Sequence, residues 1–161
     1  MSDNTVLIAD DHPPTRAGVR AALEAGGFVI CAEVGDARSA VEATRKTEPE
    51  VALLDIDMPG DGVAAIAPIL EASPSTFVVM LTASEDEADL FRSLREGASG
   101  YLLKDTDPER LPVALRGVLE GEAALPRTLA ALLIEEFRSL SGRRRLPLIG
   151  GRRVDLTPRE W

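Results

Sequence analysis

The sequence predicts an α/β fold in which five parallel β-strands form one sheet with helices on both faces, followed by a further C-terminal helix. Short, almost continuously apolar runs recur along residues 5–103, as expected for strands that are buried on both faces of a sheet. Segments with apolar residues at helical spacing follow these runs. The alternation of strand and helix implies right-handed crossovers, which produce a parallel sheet covered on both sides.

Five segments are predicted to be strands because each is a run of apolar residues that ends at a polar residue or a turn. They are Thr5–Ala9, Phe28–Glu33, Val51–Leu54, Phe77–Leu81 and Tyr101–Leu103. The third run is the clearest, because it ends abruptly in Asp55 and the turn Met58–Gly60 then stops regular structure. This strand therefore delivers a carboxylate to the edge of the sheet.

The first two helices are predicted from apolar spacing and from residues that start or stop a helix. The first helix follows the turn at His12–Pro14 and ends at Gly26. The second runs from Ser39 to Lys46, with Ser39 as its N-cap and Glu42 completing a capping box.

The next two helices carry a possible break and a second capping box. The third helix, Val63–Glu71, contains Pro68, which should kink or shorten it because proline cannot donate a main-chain hydrogen bond. The fourth is predicted to start at Ser84, paired with Glu87, and to run to Gly97.

The last segments lead out of the sheet. The fifth predicted helix has Asp107 as its N-cap and Pro108 at its first position, where proline is well tolerated. A sixth helix, Pro126–Leu140, is amphipathic, and residues 141–153 have the glycine and arginine content of a linker. Residues 155–161 carry helix-start signals, but one isolated turn is not stable. We therefore expect the natural polypeptide to continue beyond residue 161.

Charge divides the chain into an acidic and a basic part. The net charge is −9, but residues 1–122 hold 10 Lys and Arg against 23 Asp and Glu, whereas residues 123–161 hold 8 against 4. A basic tail can contact nucleic acid or form a solvated linker. Apolar runs are far shorter than the ~20 residues of a bilayer span, the N-terminus lacks the features of a secretory signal, and Cys31 is the only cysteine. The sequence predicts a cytoplasmic protein without membrane contact.

Polar residues follow four predicted strands, and the carboxyl ends of parallel strands meet at one edge of the sheet. They are Asp10 and Asp11, Asp55, Thr82 and Lys104. Unit charges ~4 Å apart repel by about 4 kcal/mol at an effective dielectric constant of about 20, so clustered carboxylates need a cation. Lys104 supplies one positive charge, and the all-oxygen character of the other groups suits Mg²⁺.

These groups are suited to receive a phosphoryl group. Asp55 is predicted to be the nucleophile, because a carboxylate can attack phosphorus to give an aspartyl phosphate. Mg²⁺ and Lys104 would neutralise the equatorial oxygens of an in-line displacement. Thr82 would donate its hydroxyl to the new phosphate.

Four separated motifs resemble, in the same order, the receiver domain of bacterial two-component response regulators. These motifs are Asp10–His12, Leu54–Gly60, Val79–Ala83 and Gly97–Asp105. The resemblance covers about residues 4–121, and the ending Leu156–Glu160 resembles the opening of the LuxR-type helix-turn-helix domain, as in the NarL/LuxR type. We therefore expect a receiver domain at 1–121, a linker with one amphipathic helix at 122–154, and the start of a helix-turn-helix domain at 155–161.

The resemblance implies a flavodoxin-like fold with strand order 2-1-3-4-5 and phosphorylation of Asp55 by a sensor histidine kinase. It also implies a Mg²⁺ ion held by the side chains of Asp11 and Asp55 and by the main-chain carbonyl of Asp57. Asp10 would support the ion through its bound waters. Such a domain is not a conventional enzyme, because its chemistry is limited to self-phosphorylation and slow self-dephosphorylation at Asp55.

Thr82 and Tyr101 would form the switch pair implied by the resemblance. In the family the hydroxyl moves to the phosphate and the aromatic ring moves inward into the vacated space. Tyr101 also fits a simpler interpretation, a half-buried strand residue with its hydroxyl in water. His12 is expected to be a loop residue beside the acidic pocket. The output would be homodimerisation and control of transcription, with DNA bound by the C-terminal domain beyond this sequence.

The sequence departs from the family pattern in one loop. The segment Met58–Gly62 is one residue shorter than is usual in the family, so we expect altered loop geometry with the chemistry retained.

Two alternative functions also fit the sequence. Asp55-Ile56-Asp57 after an apolar strand resembles the nucleophile and acid/base pair of haloacid dehalogenase-type phosphatases, although in those enzymes the acidic pair comes late in the chain. The other alternative is a stand-alone receiver that acts only through protein contacts.

Overall fold

The computed structural model describes residues 4–151, with side chains described for residues 4–140. The chain divides into two compact units, one ending at Pro126 and one beginning at Arg127. Five strands lie in the first unit: β1 (Thr5–Ala9), β2 (Val29–Val34), β3 (Val51–Leu54), β4 (Phe77–Thr82) and β5 (Gly100–Leu103). They form one parallel sheet in the order β2-β1-β3-β4-β5. The predicted fold class is confirmed, including the flavodoxin-like strand order.

Helices follow the strands in alternation, as predicted. They are α1 (Pro13–Ala25), α2 (Ala37–Thr47), α3 (Gly62–Ala72), α4 (Glu87–Glu96), α5 (Arg110–Leu119) and α6 (Arg127–Gly151). On one face of the sheet, strand residues such as Val6, Ile8 and Leu53 form a buried cluster with Leu23 of α1 and Leu115 of α5. The residues that alternate with these along each strand point to the opposite face of the sheet, because successive side chains of a strand lie on opposite faces.

The predicted caps of α2 and α4 are wrong by two or three residues. Asp36 caps α2: its carboxylate accepts hydrogen bonds from the main-chain N–H of Ser39 at 2.8 Å and from its hydroxyl at 3.0 Å. These bonds lower the pKa of the Asp36 carboxyl below its ordinary value. Asp86, rather than Ser84, caps α4 by accepting from the N–H of Ala88 at 2.9 Å. In both helices the cap is an aspartate with extended backbone, whose negative charge suits a helix N-terminus.

The start of α5 also differs from the prediction. The carboxylate of Asp107 accepts a hydrogen bond from the N–H of Glu109 at 3.0 Å, but the α-helix begins only at Arg110. The N–H of Arg110 donates to the carbonyl of Asp107, and that of Leu111 donates to the carbonyl of Pro108. These bonds span three residues, so Asp107 and Pro108 belong to a tighter turn that precedes the helix.

Pro68 lies inside α3 but does not shorten it. The helix covers 11 residues and extends four residues past the proline. Val63, Ile66 and Ile69 are at most 2% exposed. Because most helical stability in a protein comes from packing of the buried face, this contact compensates for the hydrogen bond that proline cannot make.

The second unit contains α6, which extends from Arg127 to Gly151. It is longer than the predicted Pro126–Leu140 and includes residues predicted to be a linker, where three consecutive arginines have high helix propensity. Ile134, Phe137 and Leu140 are 45–70% exposed. Within residues 4–151, no helix is long and apolar enough to cross a membrane.

Candidate functional site

Two buried carboxylates lie at the carboxyl ends of the central strands. Ala9 of β1 pairs with Leu54 of β3, so Asp10 and Asp55 leave the sheet side by side. The main-chain N–H of Asp55 donates to the carbonyl of Ala9 at 2.9 Å. Asp10 is 4% exposed and Asp55 is 5% exposed. Two carboxylates buried this deeply require a positive charge close by.

Lys104 provides that charge from the end of β5. Its Nζ lies 2.8 Å from Asp10 Oδ2 and 3.0 Å from Asp55 Oδ2. Its own main-chain N–H donates to the carbonyl of Thr82 at 2.8 Å, which fixes the start of the side chain. Burial by itself lowers the pKa of the Lys104 ammonium, but the hydrogen bonds to Asp10 and Asp55 outweigh burial, and the pKa is raised. Lys104 therefore binds both carboxylates as a cation.

Asp11 completes a cluster of three carboxylates. One oxygen each from Asp10, Asp11 and Asp55 lie within 4.8 Å of one another. Asp11 is exposed, so the cluster is open to solvent on that side. The donor set consists of hard oxygen ligands with more negative charge than Lys104 neutralises, and this fits a divalent cation such as Mg²⁺.

Asp57 contacts the cluster through its main chain. Its N–H lies 3.2 Å from Asp55 Oδ1 and donates to it, while its side chain points into solvent and is exposed. The two oxygens of Asp55 thus have different partners: Oδ1 binds this N–H and Oδ2 binds Lys104. The predicted role of the Asp57 carbonyl as a metal ligand stays a prediction.

Thr82 and Tyr101 share a partner that the sequence did not indicate. The Thr82 hydroxyl accepts a hydrogen bond from the N–H of Ser84 at 3.1 Å, and the Tyr101 hydroxyl donates to the carbonyl of Ser84 at 3.0 Å. Both Thr82 and Tyr101 are completely buried, and burial raises the pKa of the Tyr101 hydroxyl. The interpretation of Tyr101 as a half-buried residue with its hydroxyl in water is therefore wrong.

His12 lies next to the cluster without joining it. Its main-chain N–H donates to Asp10 Oδ1 at 2.9 Å, and its ring Nδ1 lies 2.7 Å from Thr15 Oγ1. The residue precedes α1 directly, as expected for a loop residue beside the pocket.

Comparison with known proteins decides the family. Residues 6–116 match the model of the response regulator receiver domain. The chain belongs to the response regulator receiver family. The match includes all five strands except Thr5 of β1, and the carboxylate cluster described above lies within it.

Relatives place this receiver in the NarL/LuxR type. The nitrate/nitrite response regulator NarL of Escherichia coli K12 is 34% identical over 137 residues, which are 84% of this chain and 63% of NarL. A LuxR-family two-component response regulator from Aurantimonas sp. SI85-9A1 is 31% identical with a TM-score of 0.78, over 84% of this chain and 98% of that one. A structure of two RcsB dimers bound to two parallel DNAs matches at 31% identity and a TM-score of 0.73, over 82% of this chain and 68% of that one.

The start of α3 lies directly against the main chain of Asp55. A Cβ atom at Gly62 would lie 2.1 Å from the carbonyl oxygen of Asp55, so only glycine fits there. Asp61 has a positive φ of 71°. Its side chain accepts from the N–H of Val63 at 3.0 Å and lies 3.0 Å from Arg92 Nη2 of α4. Asp61 thus connects the loop before α3 both to the first turn of α3 and to the side of α4.

Four residues of this receiver site were not found from the sequence: Arg16, Asp61, Ser84 and Arg92. Arg16 donates from Nη1 to the main-chain carbonyl of Asp10 at 2.5 Å, six residues earlier. The other three act through contacts between segments that are distant in the sequence. Arginine at helical spacing on α1 or α4 has the pattern of an ordinary solvated position. Ser84 was identified only as a helix cap, and no pattern indicated that its main chain binds both Thr82 and Tyr101.

Proposed function

We propose that this receiver accepts a phosphoryl group on Asp55 from a sensor histidine kinase, in a Mg²⁺-dependent reaction, and controls transcription through a C-terminal helix-turn-helix domain. One observation carries the proposal. The buried Asp55 carboxylate is held by an N–H on one oxygen and by Lys104 on the other, beside two further carboxylates. A nucleophile, a fixed cation and a set of metal ligands are thereby combined at one edge of the sheet.

The transfer uses the groups that surround Asp55. An Asp55 oxygen forms a bond to phosphorus while the bond from phosphorus to the imidazole nitrogen of the kinase histidine breaks, and its electron pair stays on that nitrogen. The carboxylate loses its negative charge as it becomes an acyl phosphate. Lys104, 3.0 Å from Oδ2 in the free state, would then pair with a phosphoryl oxygen instead.

The cation would be held by residues that already converge. The Asp11 and Asp55 side chains and the Asp57 carbonyl would bind Mg²⁺ directly, with Asp10 acting through its waters. When bound, the ion neutralises charge on the phosphoryl oxygens. Asp10 also keeps Lys104 in place through a 2.8 Å contact. Removal of the Asp10 carboxylate should therefore disturb both the Lys104 ammonium and the binding of Mg²⁺.

The switch would act through Ser84. In the described state the Thr82 hydroxyl accepts from the N–H of Ser84, and Tyr101 donates to its carbonyl. A Thr82 hydroxyl that turned to donate to the phosphate would release the Ser84 N–H. Ser84 also donates its hydroxyl to Asp89 of α4 at 2.6 Å, so this change would reach α4. Phosphorylation would thereby bias a two-state element.

The output is proposed from the relatives and from the charge of the chain. RcsB forms dimers that bind DNA in a structure with the same receiver fold. We propose a cytoplasmic regulator with a receiver at 1–121, a linker at 122–154 and a helix-turn-helix domain starting at 155, which dimerises on phosphorylation. The predicted start of that domain at 155–161 lies outside the described residues. Sedimentation with and without a phosphodonor tests dimerisation, and the encoded sequence after residue 161 distinguishes this proposal from a stand-alone receiver.

Membership of the receiver family argues against the haloacid dehalogenase alternative. Asp55 and Asp57 do have the spacing of that family's catalytic pair. However, the Asp57 side chain is exposed, and it is the main-chain N–H of Asp57 that contacts Asp55. The pair therefore lacks the arrangement of a nucleophile with an adjacent acid.

Mass spectrometry of the intact chain tests the phosphoryl site. With Mg²⁺ and acetyl phosphate, the unmodified chain should gain one phosphoryl group and Asp55→Ala should gain none. Asp57→Ala is the matched control, because it removes a nearby carboxylate but keeps the N–H that binds Asp55. Labelling that persists in Asp55→Ala would rule out the assignment, and equal labelling in the presence of EDTA would rule out the metal requirement.

A further inference from the structure

Arg16 of α1 reaches back to the end of β1. Its Nη1 donates to the main-chain carbonyl of Asp10 at 2.5 Å. Its Nε lies 3.6 Å from Glu33 Oε1, too far for a hydrogen bond. This Nε is buried and has no hydrogen-bond partner within the described part of the chain. The firm contact of the guanidinium is therefore the one to the Asp10 carbonyl.

That carbonyl belongs to the peptide that joins Asp10 to Asp11. The Asp10 side chain is itself held on both oxygens, by the N–H of His12 and by Lys104. The Asp11 carboxylate is exposed, and within residues 4–140 it makes no hydrogen bond or ion pair. Its direction into the carboxylate cluster therefore depends on its main chain, which Arg16 fixes on the side of Asp10.

A contribution to stability alone does not explain Arg16 well. A buried N–H without a partner is destabilising, and this offsets much of what the single hydrogen bond of Arg16 contributes. A local arrangement that costs stability is expected where function requires it. Gly35 lies beside this contact: a Cβ atom there would be at ordinary van der Waals distance from Arg16 Nη1, 3.5 Å, and from the Asp11 Cα, 3.7 Å.

We propose that Arg16 is a positioning residue for the cation site: it holds the Asp10–Asp11 peptide so that the Asp11 carboxylate converges with Asp10 and Asp55. The inference rests on the proposed Mg²⁺ site. The direction of the change in Mg²⁺ affinity distinguishes this positioning role from a simple charge effect. A guanidinium near a cation site repels the cation, so removal of its charge alone would strengthen Mg²⁺ binding. Loss of positioning weakens it.

Arg20 offers a matched control on the same helix. It lies one turn further along α1 and forms an ion pair with the same Glu33, and also one with Glu24 at 3.0 Å. It makes no contact with Asp10 or Asp11 in the described structure. Arg20→Met therefore removes the same charge and the same pairing with Glu33 without loosening the peptide.

The test is isothermal titration of the full chain with Mg²⁺, alongside thermal unfolding of each variant without metal. Arg16→Met should raise the Kd for Mg²⁺ about tenfold, a typical loss for residues that orient ligands, while Arg20→Met leaves it within about twofold. Arg16→Lys keeps the charge, but its side chain is shorter and its ammonium should not reach the Asp10 carbonyl as Nη1 does, so it should weaken binding similarly. It also serves as the second variant if Arg16→Met does not fold.

A readout of phosphorylation completes the test. At limiting Mg²⁺, labelling of Arg16→Met by acetyl phosphate should be slow, and saturating Mg²⁺ should restore the rate of the unmodified chain. Unchanged or tighter Mg²⁺ binding in both Arg16 variants would overturn the inference while the proposed function stands. Absence of Mg²⁺ binding by the unmodified chain would overturn the proposed function and the inference with it.

Discussion

Replacement of Lys104 by methionine tests the electrostatics of the site most directly. Methionine keeps an unbranched stem but leaves Asp10 and Asp55, 4% and 5% exposed, without their cation. Contacts of 2.8 and 3.0 Å each correspond to about 6 kcal/mol of coulombic attraction at an effective dielectric constant of about 20. Desolvation cancels much of this, and the Lys104 side chain is 23% exposed. Breaking a buried ion pair costs about 3–5 kcal/mol, so we expect Lys104→Met to lower the free energy of unfolding by an amount near the lower end, about 3 kcal/mol.

The assay is urea unfolding at pH 7 with EDTA, followed by circular dichroism. Lys104→Met should lower the midpoint with little change in the denaturant slope. Lys46→Met is the control, because Lys46 is exposed on α2 and its loss should change the free energy of unfolding by less than about 0.5 kcal/mol. Adding Asp55→Asn to Lys104→Met should recover most of the loss, because one buried like charge is removed. A Lys104→Met chain as stable as the unmodified one would refute the reasoning.

The same contacts predict a dependence on alkaline pH. The pKa of Lys104 is raised in the folded state above its ordinary value of 10.5. A group of this kind contributes stability that is fully present below its unfolded pKa and is lost as the pH rises through its folded pKa. The advantage of the unmodified chain over Lys104→Met should therefore be constant from pH 7 to about pH 10 and decline above that. An advantage that persists unchanged at higher pH would contradict the assignment.

Five further substitutions can be compared by urea unfolding. Thr44→Val should raise the free energy of unfolding by up to about 1 kcal/mol, because the Thr44 hydroxyl is buried without a partner in the described structure. Thr76→Val should lower it by about 1–2 kcal/mol, since the Thr76 hydroxyl donates to the main-chain carbonyl of Pro49 at 2.6 Å and lies 2.7 Å from the Ser73 hydroxyl oxygen. Equal effects of Thr44→Val and Thr76→Val would contradict this. Gly62→Ala should cost about 2 kcal/mol or more and slow labelling by acetyl phosphate, because its Cβ would lie 2.1 Å from the acceptor's carbonyl oxygen. Gly18→Ala on α1, with open space around it, should be neutral or stabilising. Tyr101→Phe should cost about 1 kcal/mol at pH 7. The pKa of the Tyr101 hydroxyl is raised above its ordinary value of 10.0, so its contribution to stability should be lost as the pH rises through the raised pKa. A stability difference between the unmodified chain and Tyr101→Phe that grows above pH 10 would contradict this.

Most strands were predictable because their evidence is local. Thr5–Ala9 and Val51–Leu54 have the predicted boundaries, since each apolar run is bounded by polar residues. Helix starts were predicted less well. Asp36 and Ser39 both have side chains that can cap a helix, and the extended backbone at Asp36 decided between them. Pro68 predicted a kinked or shortened α3, but the packed helix continues past the proline to Ala72.

The sequence alone determined which chemical groups the domain presents at the edge of its sheet. Strands that run parallel place their carboxyl ends together, so an acidic or hydroxyl residue after each run implies the cluster without any coordinates. Only the tertiary structure decided how these groups are held. Lys104 reaches Asp10 and Asp55 from an edge strand, the Ser84 main chain binds both Thr82 and Tyr101, and Arg16 donates to the Asp10 carbonyl. Such contacts depend on how the strands, loops and helices come together in space, and residue spacing does not encode them.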